Sequence, residues 1–371
     1  MSGVWVVKLG SSLLTAHGAG LDQAWIARIA AQIAELRRSG RGIVIVSSGA
    51  VAAGLSRLQL RARPTDLAQL QAVAAVGQPD VMQAWSQALG AQGLTAAQLL
   101  LSHDDARERT RYLNARATLR ALLDQGVVPV INENDSVATE EIRFGDNDRL
   151  AAMVADLVGA ERLVLLTDQW GLFTADPRKQ PSARRISRAL AADAALDEMA
   201  GEGGSLGRGG MVTKLLAARN AARCAIPTWI LHGRLPGVLT ALDSGVALGT
   251  ELRPGAETRR WSARQRWLGA ALHPHGSYVL DAGACAALRR GDVSLLPVGV
   301  LSVEGEFRRG DLVACRDAEG VELARGLSNY AAADARRLCG ARGTEIAQRL
   351  GWPGEAECIH RDNLVLVDTQ S

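Results

Sequence analysis

The chain contains no apolar run approaching the roughly 20 residues that a bilayer-spanning helix needs. It has no C-x-x-C pair either. Its five cysteines, Cys224, Cys285, Cys315, Cys339 and Cys358, are odd in number and widely spaced. That pattern argues against a disulfide scaffold or a cysteine zinc site and for reduced thiols in a cytoplasm. The net charge is only +3, so no whole-chain nucleic-acid or membrane-surface footprint shows. The N-terminus runs straight into an apolar strand pattern around Lys8, without a signal-peptide layout, and a cytoplasmic location with no membrane partner is expected. The scarcest charged residue is lysine: only Lys8, Lys179 and Lys214 occur among 42 basic residues. Lysine is a compact point charge, whereas arginine is a wide planar fork. An arginine-rich chain that keeps lysine beside glycines at Lys8 and Lys214 points to a need for compact charge, as at transferring phosphates. Chance survival of ordinary surface lysines is the other explanation.

What is present fits a globular protein. Hydrophobic residues make up 47% and charged residues 22%, and 371 residues exceed one ordinary core, so two domains are expected. Residues 4–7, 43–46, 127–131 and 162–166 read as short buried strands, although Pro129 suits its run only where no donor is needed. Helical patterns lie between them. Trp25, Ile26, Ile29, Ile33 and Leu36 form one stripe over 22–38 with Gly40 as a stop, and 66–90 and 147–158 read the same way. Alternating strands and helices predict an α/β unit, an open and mostly parallel sheet with helices on both faces, over 1–255. An arginine-rich linker is expected over 256–276. Short strands punctuated by Gly291, Gly305, Gly310, Gly320 and Gly326 then predict a small β-rich domain over 277–355, with a tail over 356–371.

In open parallel sheets, ligands bind outside the carboxyl ends of the strands. Here the four early strands run out into Lys8-Leu9-Gly10-Ser11-Ser12, Ser47-Ser48-Gly49-Ala50, Asn132-Glu133-Asn134-Asp135 and Thr167-Asp168. Any one of these is compatible with a plain turn; four on one edge are harder to dismiss. Lys8 with Gly10, and Gly209-Gly210-Met211-Val212-Thr213-Lys214 opening a helix, suit a phosphate cradle. Neither is a G-x-x-x-x-G-K-[ST] loop, and no G-x-G-x-x-G follows a strand. Asp146-Asn147-Asp148 at a helix start leaves three roles open: capping the helix, binding Mg²⁺, or orienting a cation.

Taken together, these stretches resemble the glutamate-phosphorylating members of the amino acid kinase family. The likeness lies in KLGSS at 8–12, SSGAVAAG at 47–54, NENDSV at 132–137, FGDND at 144–148, LTDQWGLFTADPR at 166–178 and GGMVTK at 209–214. The region 277–355 resembles a PUA domain. The resemblance implies the amino acid kinase fold and ATP-dependent phosphorylation of the side-chain carboxylate of L-glutamate, the first step of proline biosynthesis. It implies ATP and Mg²⁺ as cofactors, with no protein residue assigned to a metal. Lys8 and Lys214 would hold the phosphates and the transferring group, and Asp148 would orient the two lysines. Thr167, Asp168 and the loop Arg208, Gly209, Gly210, Met211, Val212, Thr213 and Lys214 would complete the nucleotide site. Ser48, Asp135 and Asn147 would bind glutamate, with Asn132, Arg143 and Asp146 nearby. Arg208 departs from the threonine usual before Gly-Gly-Met. Proline as feedback inhibitor and a homo-oligomer follow from the resemblance alone. No reductase segment follows, so a separate glutamyl phosphate reductase is expected.

The chemistry is coherent without a catalytic histidine, and all six histidines read as loop or surface residues. A carboxylate with a pKa of about 4.3 is already ionised at neutral pH and needs no general base. Two other readings compete. One is a sister kinase acting on aspartate, N-acetylglutamate or a nucleotide monophosphate, against which NEND, GDND and the trailing PUA-like unit speak. The other is RNA binding through that unit, which needs a basic aromatic face. Arginines and two tryptophans occur over 257–267, but Glu304, Glu306, Asp311, Asp317 and Glu319 dilute the charge, so RNA is not expected as the main partner.

Overall fold

The computed structural model describes residues 2–15, 20–102, 105, 109–137, 147–177, 179–200, 210–255, 274–291 and 293–367. They form two compact units, one drawn from Met1–Arg260 and the other chiefly from Trp261–Ser371. The first strand, β1 (Ser2–Leu9), shows why the first unit folds as it does. Trp5, Val6, Val7 and Leu9 are all fully buried, on both faces of the strand, so β1 must lie in the middle of a covered sheet. It pairs in parallel with β2 (Arg41–Val46) on one side and β5 (Arg162–Thr167) on the other.

Among the described residues this sheet has eight strands. With β3 (Ala96–Leu101), β4 (Val128–Glu133), β6 (Arg188–Leu190), β7 (Thr228–His232) and β8 (Thr250–Arg253), its order is β3-β4-β2-β1-β5-β7-β8-β6. Every neighbouring pair is parallel except β7 with β8. The four expected strands are present and the mostly parallel α/β architecture is borne out. Pro129 sits inside β4 because pairing with β2 begins only at Val130, so no donor is missed on that side. Four strands went unread. Of these, β3 is Ala-Ala-Gln-Leu-Leu-Leu, which lacks β-branched residues and holds its place as an edge strand through β4 alone.

The helices follow their caps. Asp22 accepts from Trp25 N at 2.9 Å to start Gln23–Arg38, which buries the expected stripe and gives way to Gly40 at φ 89°. Asp66 accepts from Gln69 N at 3.0 Å to start Leu67–Gly90. That helix packs backbone-close on Ala50–Arg57. A Cβ on Gly77 would lie 2.0 Å from the Ala50 carbonyl oxygen, and one on Gly54 would lie 1.8 Å from that of Val73.

The second unit is a five-stranded sheet: β9 (Gly276–Leu280), β10 (Val300–Gly305), β11 (Leu312–Arg316), β12 (Glu322–Leu327) and β13 (Leu364–Leu366), in the order β10-β9-β11-β12-β13. The expected short strands are all there. The stretch read as a tail from 356 differs: β13 pairs antiparallel with β12, and Cys358 and Ile359 are buried in the core. A strand of three residues is too short a pattern to read. All five cysteines are free. Burial pushes the Cys358 thiol up to about 12, which keeps it unreactive.

Candidate active site

The sheet order places β4, β2, β1 and β5 side by side and parallel, so the four polar loops read from the sequence do leave one common edge. The loops are tied to their neighbours there. Gly10 N donates to the Leu166 carbonyl at 3.1 Å, and Ser47 N donates to that of Ile131 at 2.8 Å. Gly49, at φ 99°, makes the left-handed turn from β2 into the helix Ala50–Arg57.

At the centre lies Asp148, in the first turn of the helix Asn147–Val158 and 0% exposed. Its Oδ1 is 2.5 Å from Lys8 Nζ, and its Oδ2 is 3.0 Å from Lys214 Nζ. Thr213 Oγ1 adds a hydrogen bond to Oδ2 at 2.9 Å. Both lysines are about as buried, at 4% and 5% exposure. Burial would raise the Asp148 carboxyl, but the two ammonium groups outweigh it and hold it well below the usual carboxylate range. These three groups together carry a net positive charge, the sign an incoming phosphoryl group needs. Of the roles left open for this loop, the contacts of Asp148 with two ammonium groups fit that of orienting cations.

Beside it, Asn147 Nδ2 donates to the Ser47 carbonyl at 2.5 Å and to Asn132 Oδ1 at 2.7 Å, joining the ends of β2 and β4 to the helix. Ser48 Oγ is buried with no hydrogen-bond partner among the described residues, which an arriving polar ligand would explain. Asp135 is half-buried on the same loop as the buried Glu133. Burial, then Glu133, push the Asp135 carboxyl up to about 7 against the opposing pull of Arg63.

On the other side, Thr167 Oγ1 donates to Asp168 Oδ1 at 3.1 Å at the end of β5. The following loop is braced by β8: Leu172 N donates to Thr250 Oγ1 at 2.8 Å, and Gly171 (φ 129°) packs where a Cβ would meet that same hydroxyl. Gly210 precedes the helix Met211–Arg223, and a Cβ there would meet no atom of the described residues within 4 Å. A glycine at a helix start suits close approach of an anion to the backbone. Metal ligation has a clear boundary: among the described residues, no group of three or more His, Cys, Asp or Glu could hold an ion. Arg143, Asp146, Arg208 and Gly209 lie outside the described residues.

Sequence reasoning missed three participants. Trp170 stacks on His232, 4.4 Å between centroids, beside Thr167 on this edge. Gln78 and Trp85, both on Leu67–Gly90, hydrogen-bond to Asn132 and Ser47. The available signal was Gly77-Gln78-Pro79, a polar residue between two helix breakers inside a 24-residue helix.

The family model described as "Amino acid kinase family" matches residues 3–232, and the PUA domain model matches 276–350. A protein named glutamate 5-kinase from Stutzerimonas stutzeri (strain A1501) is 56% identical over 98% of this chain and 97% of its own. Another from Pseudomonas putida (strain W619) is 54% identical over the same shares. A solved UMP kinase from Bacillus anthracis aligns at 16% identity with a TM-score of 0.48, over 68% of this chain and 97% of that one. The chain belongs to the amino acid kinase family, with a PUA domain behind its kinase unit.

Proposed function

We propose that the chain transfers the γ-phosphoryl group of ATP to the side-chain carboxylate of L-glutamate, giving L-glutamyl 5-phosphate, the first step of proline biosynthesis. The observation that carries this is the near-full-length identity, above half, to proteins named glutamate 5-kinase. The buried Lys8–Asp148–Lys214 cluster supports it.

The substrate carboxylate is ionised at neutral pH and attacks without a base, so the protein's task is placement and charge. Ser48, Asp135 and Asn147 hold glutamate, with Asn132, Arg143 and Asp146 close by. Thr167, Asp168 and the loop Arg208–Lys214 hold the nucleotide. Lys8 and Lys214 meet the charge spread over the transferring oxygens, and Asp148 fixes both ammonium groups in advance so that neither must reorganise. Mg²⁺ would accompany ATP as part of that substrate and would supply charge neutralisation at its phosphates. Proline inhibition, a homo-oligomer and a separate reductase rest on kinship.

The substrate test is trapping of the acyl phosphate with hydroxylamine. Glutamate with ATP and Mg²⁺ gives the hydroxamate, while aspartate and N-acetylglutamate give little. Equal or better turnover of either competitor overturns the assignment.

We also place the end of the kinase domain near residue 255. A chain stopping near Arg260 then folds and still makes the hydroxamate, with regulation or assembly altered, because the two units have separate cores. The truncated and full-length proteins are compared with and without proline. A folded but inactive truncation shows that the PUA unit completes the site.

A further inference from the structure

The polar groups at the glutamate end do not hang from their own loops alone. Asn132 Nδ2 donates to Gln78 Oε1 at 2.6 Å, and Asn132 Oδ1 accepts from Asn147 Nδ2. Asn147 Nδ2 also donates to the carbonyl of Ser47, whose Oγ accepts from Trp85 Nε1 at 3.1 Å. Gln78 and Trp85 are seven residues apart on one helix, two turns, and so share a face. The bonds therefore form a closed ring: out from the helix at Gln78, through the end of β4, the start of Asn147–Val158 and the end of β2, and back at Trp85.

Each amide in the ring has its orientation set by its neighbour. Gln78 presents an acceptor, so Asn132 must turn its NH₂ there and its oxygen toward Asn147. The bare backbone of Gly77 against Ala50–Arg57 brings the Gln78 helix within reach. Trp85 is fully buried, so its N–H has no access to water as an alternative partner.

We propose that Gln78 and Trp85 are positioning residues for the amino-acid substrate: acting through Asn132, Asn147 and Ser47, they hold three segments in register for glutamate. The inference rests on the glutamate-kinase reading. Neither residue is assigned to the nucleotide, and that distinction gives the test. Gln78→Met keeps the length but loses the acceptor, and Trp85→Phe keeps an aromatic ring but loses the donor.

Each variant is measured in the full-length protein for glutamate KM, ATP KM, kcat and Tm. Each single change is expected to raise the glutamate KM by roughly 10-fold, with ATP KM and kcat within about twofold. Because a ring is opened by one cut, the double variant should fall well short of the product of the two single effects. The substitutions act at opposite ends of the ring, so failure of one variant to fold leaves the other to decide. Unchanged glutamate KM in a folded variant, a parallel rise in ATP KM, or simple multiplication of the two effects overturns the proposal. If wild type makes no glutamyl hydroxamate, the functional reading falls and this inference with it. Normal wild-type turnover with unaffected variants sinks this inference alone.

Discussion

Asp148→Asn is expected to lower kcat by roughly 10²-fold or more while KM for ATP and glutamate change little. Lys214→Ala should likewise act mainly on kcat. The reason is the division of labour at the centre of the site. Asp148 is fully buried between two ammonium groups at 2.5 and 3.0 Å, and the two lysines reach it from β1 and from the helix Met211–Arg223. An amide in its place has nearly the same shape but no charge, so it no longer fixes two cations. Removing one partner of a buried pair commonly costs about 3–5 kcal/mol of stability, so activity must be read on protein shown to be folded by circular dichroism. The pH dependence of stability follows from the depressed Asp148 carboxyl. A lowered folded-state value gives stability that is present above the ordinary carboxylate value and lost as pH falls through the folded one. The wild type should therefore lose more stability in acid than Asp148→Asn. Near-normal kcat in Asp148→Asn or Lys214→Ala would falsify the assigned roles.

Lowering the pH from 8 to 6 should raise the glutamate KM by roughly 10-fold through Asp135, with little change in the ATP KM. Burial and Glu133 push the Asp135 carboxyl up to about 7, so it is ionised at pH 8 and mostly protonated at pH 6. Glutamate itself changes little over that range: the ammonium of a free amino acid titrates above it and the carboxyls below it. If Asp135 receives the substrate ammonium, only its ionised form binds well. The stability sign runs the other way from Asp148. A raised value penalises the charged form, so the contribution is fully present below about 3.8 and is lost as pH rises through about 7. Asp135→Asn should thus melt higher than wild type at pH 8, match it near pH 4, and bind glutamate poorly throughout. A glutamate KM that stays flat from pH 8 to 6, measured by ADP release, rules the role out.

How much of this was legible depended on whether the signal was local. Val-Trp-Val-Val and Ile-Val-Ile-Val announce buried strands because unbroken apolar runs need cover on both faces. Asp22 and Asp66 begin their helices within one turn of the residues they cap, so those starts fell within a residue of the pattern. The site loops were found because each lies directly after a strand. What escaped depended on distant partners. That Asp148 holds Lys8 and Lys214 joins positions 140 and 66 residues away, and only the family resemblance implied it. Trp85 looked like one more apolar residue of an amphipathic helix, because nothing local tells a packed indole from one whose N–H reaches Ser47.

The bracing of the loop after Asp168 by Thr250 has a consequence for what counts as the kinase. The strand that carries Thr250, β8, stands between β7 and β6, so β6 waits for a partner made some 60 residues later in the chain. Until that partner exists, the sheet has six strands rather than eight, and the Leu172 amide lacks its acceptor. During synthesis, every residue assigned to the chemistry has been made by Lys214, yet the edge that holds Thr167 and Asp168 is not closed until Thr250–Arg253 has been added. The loop after Asp168 therefore leans on a buried threonine in a four-residue strand that is made only after Lys214.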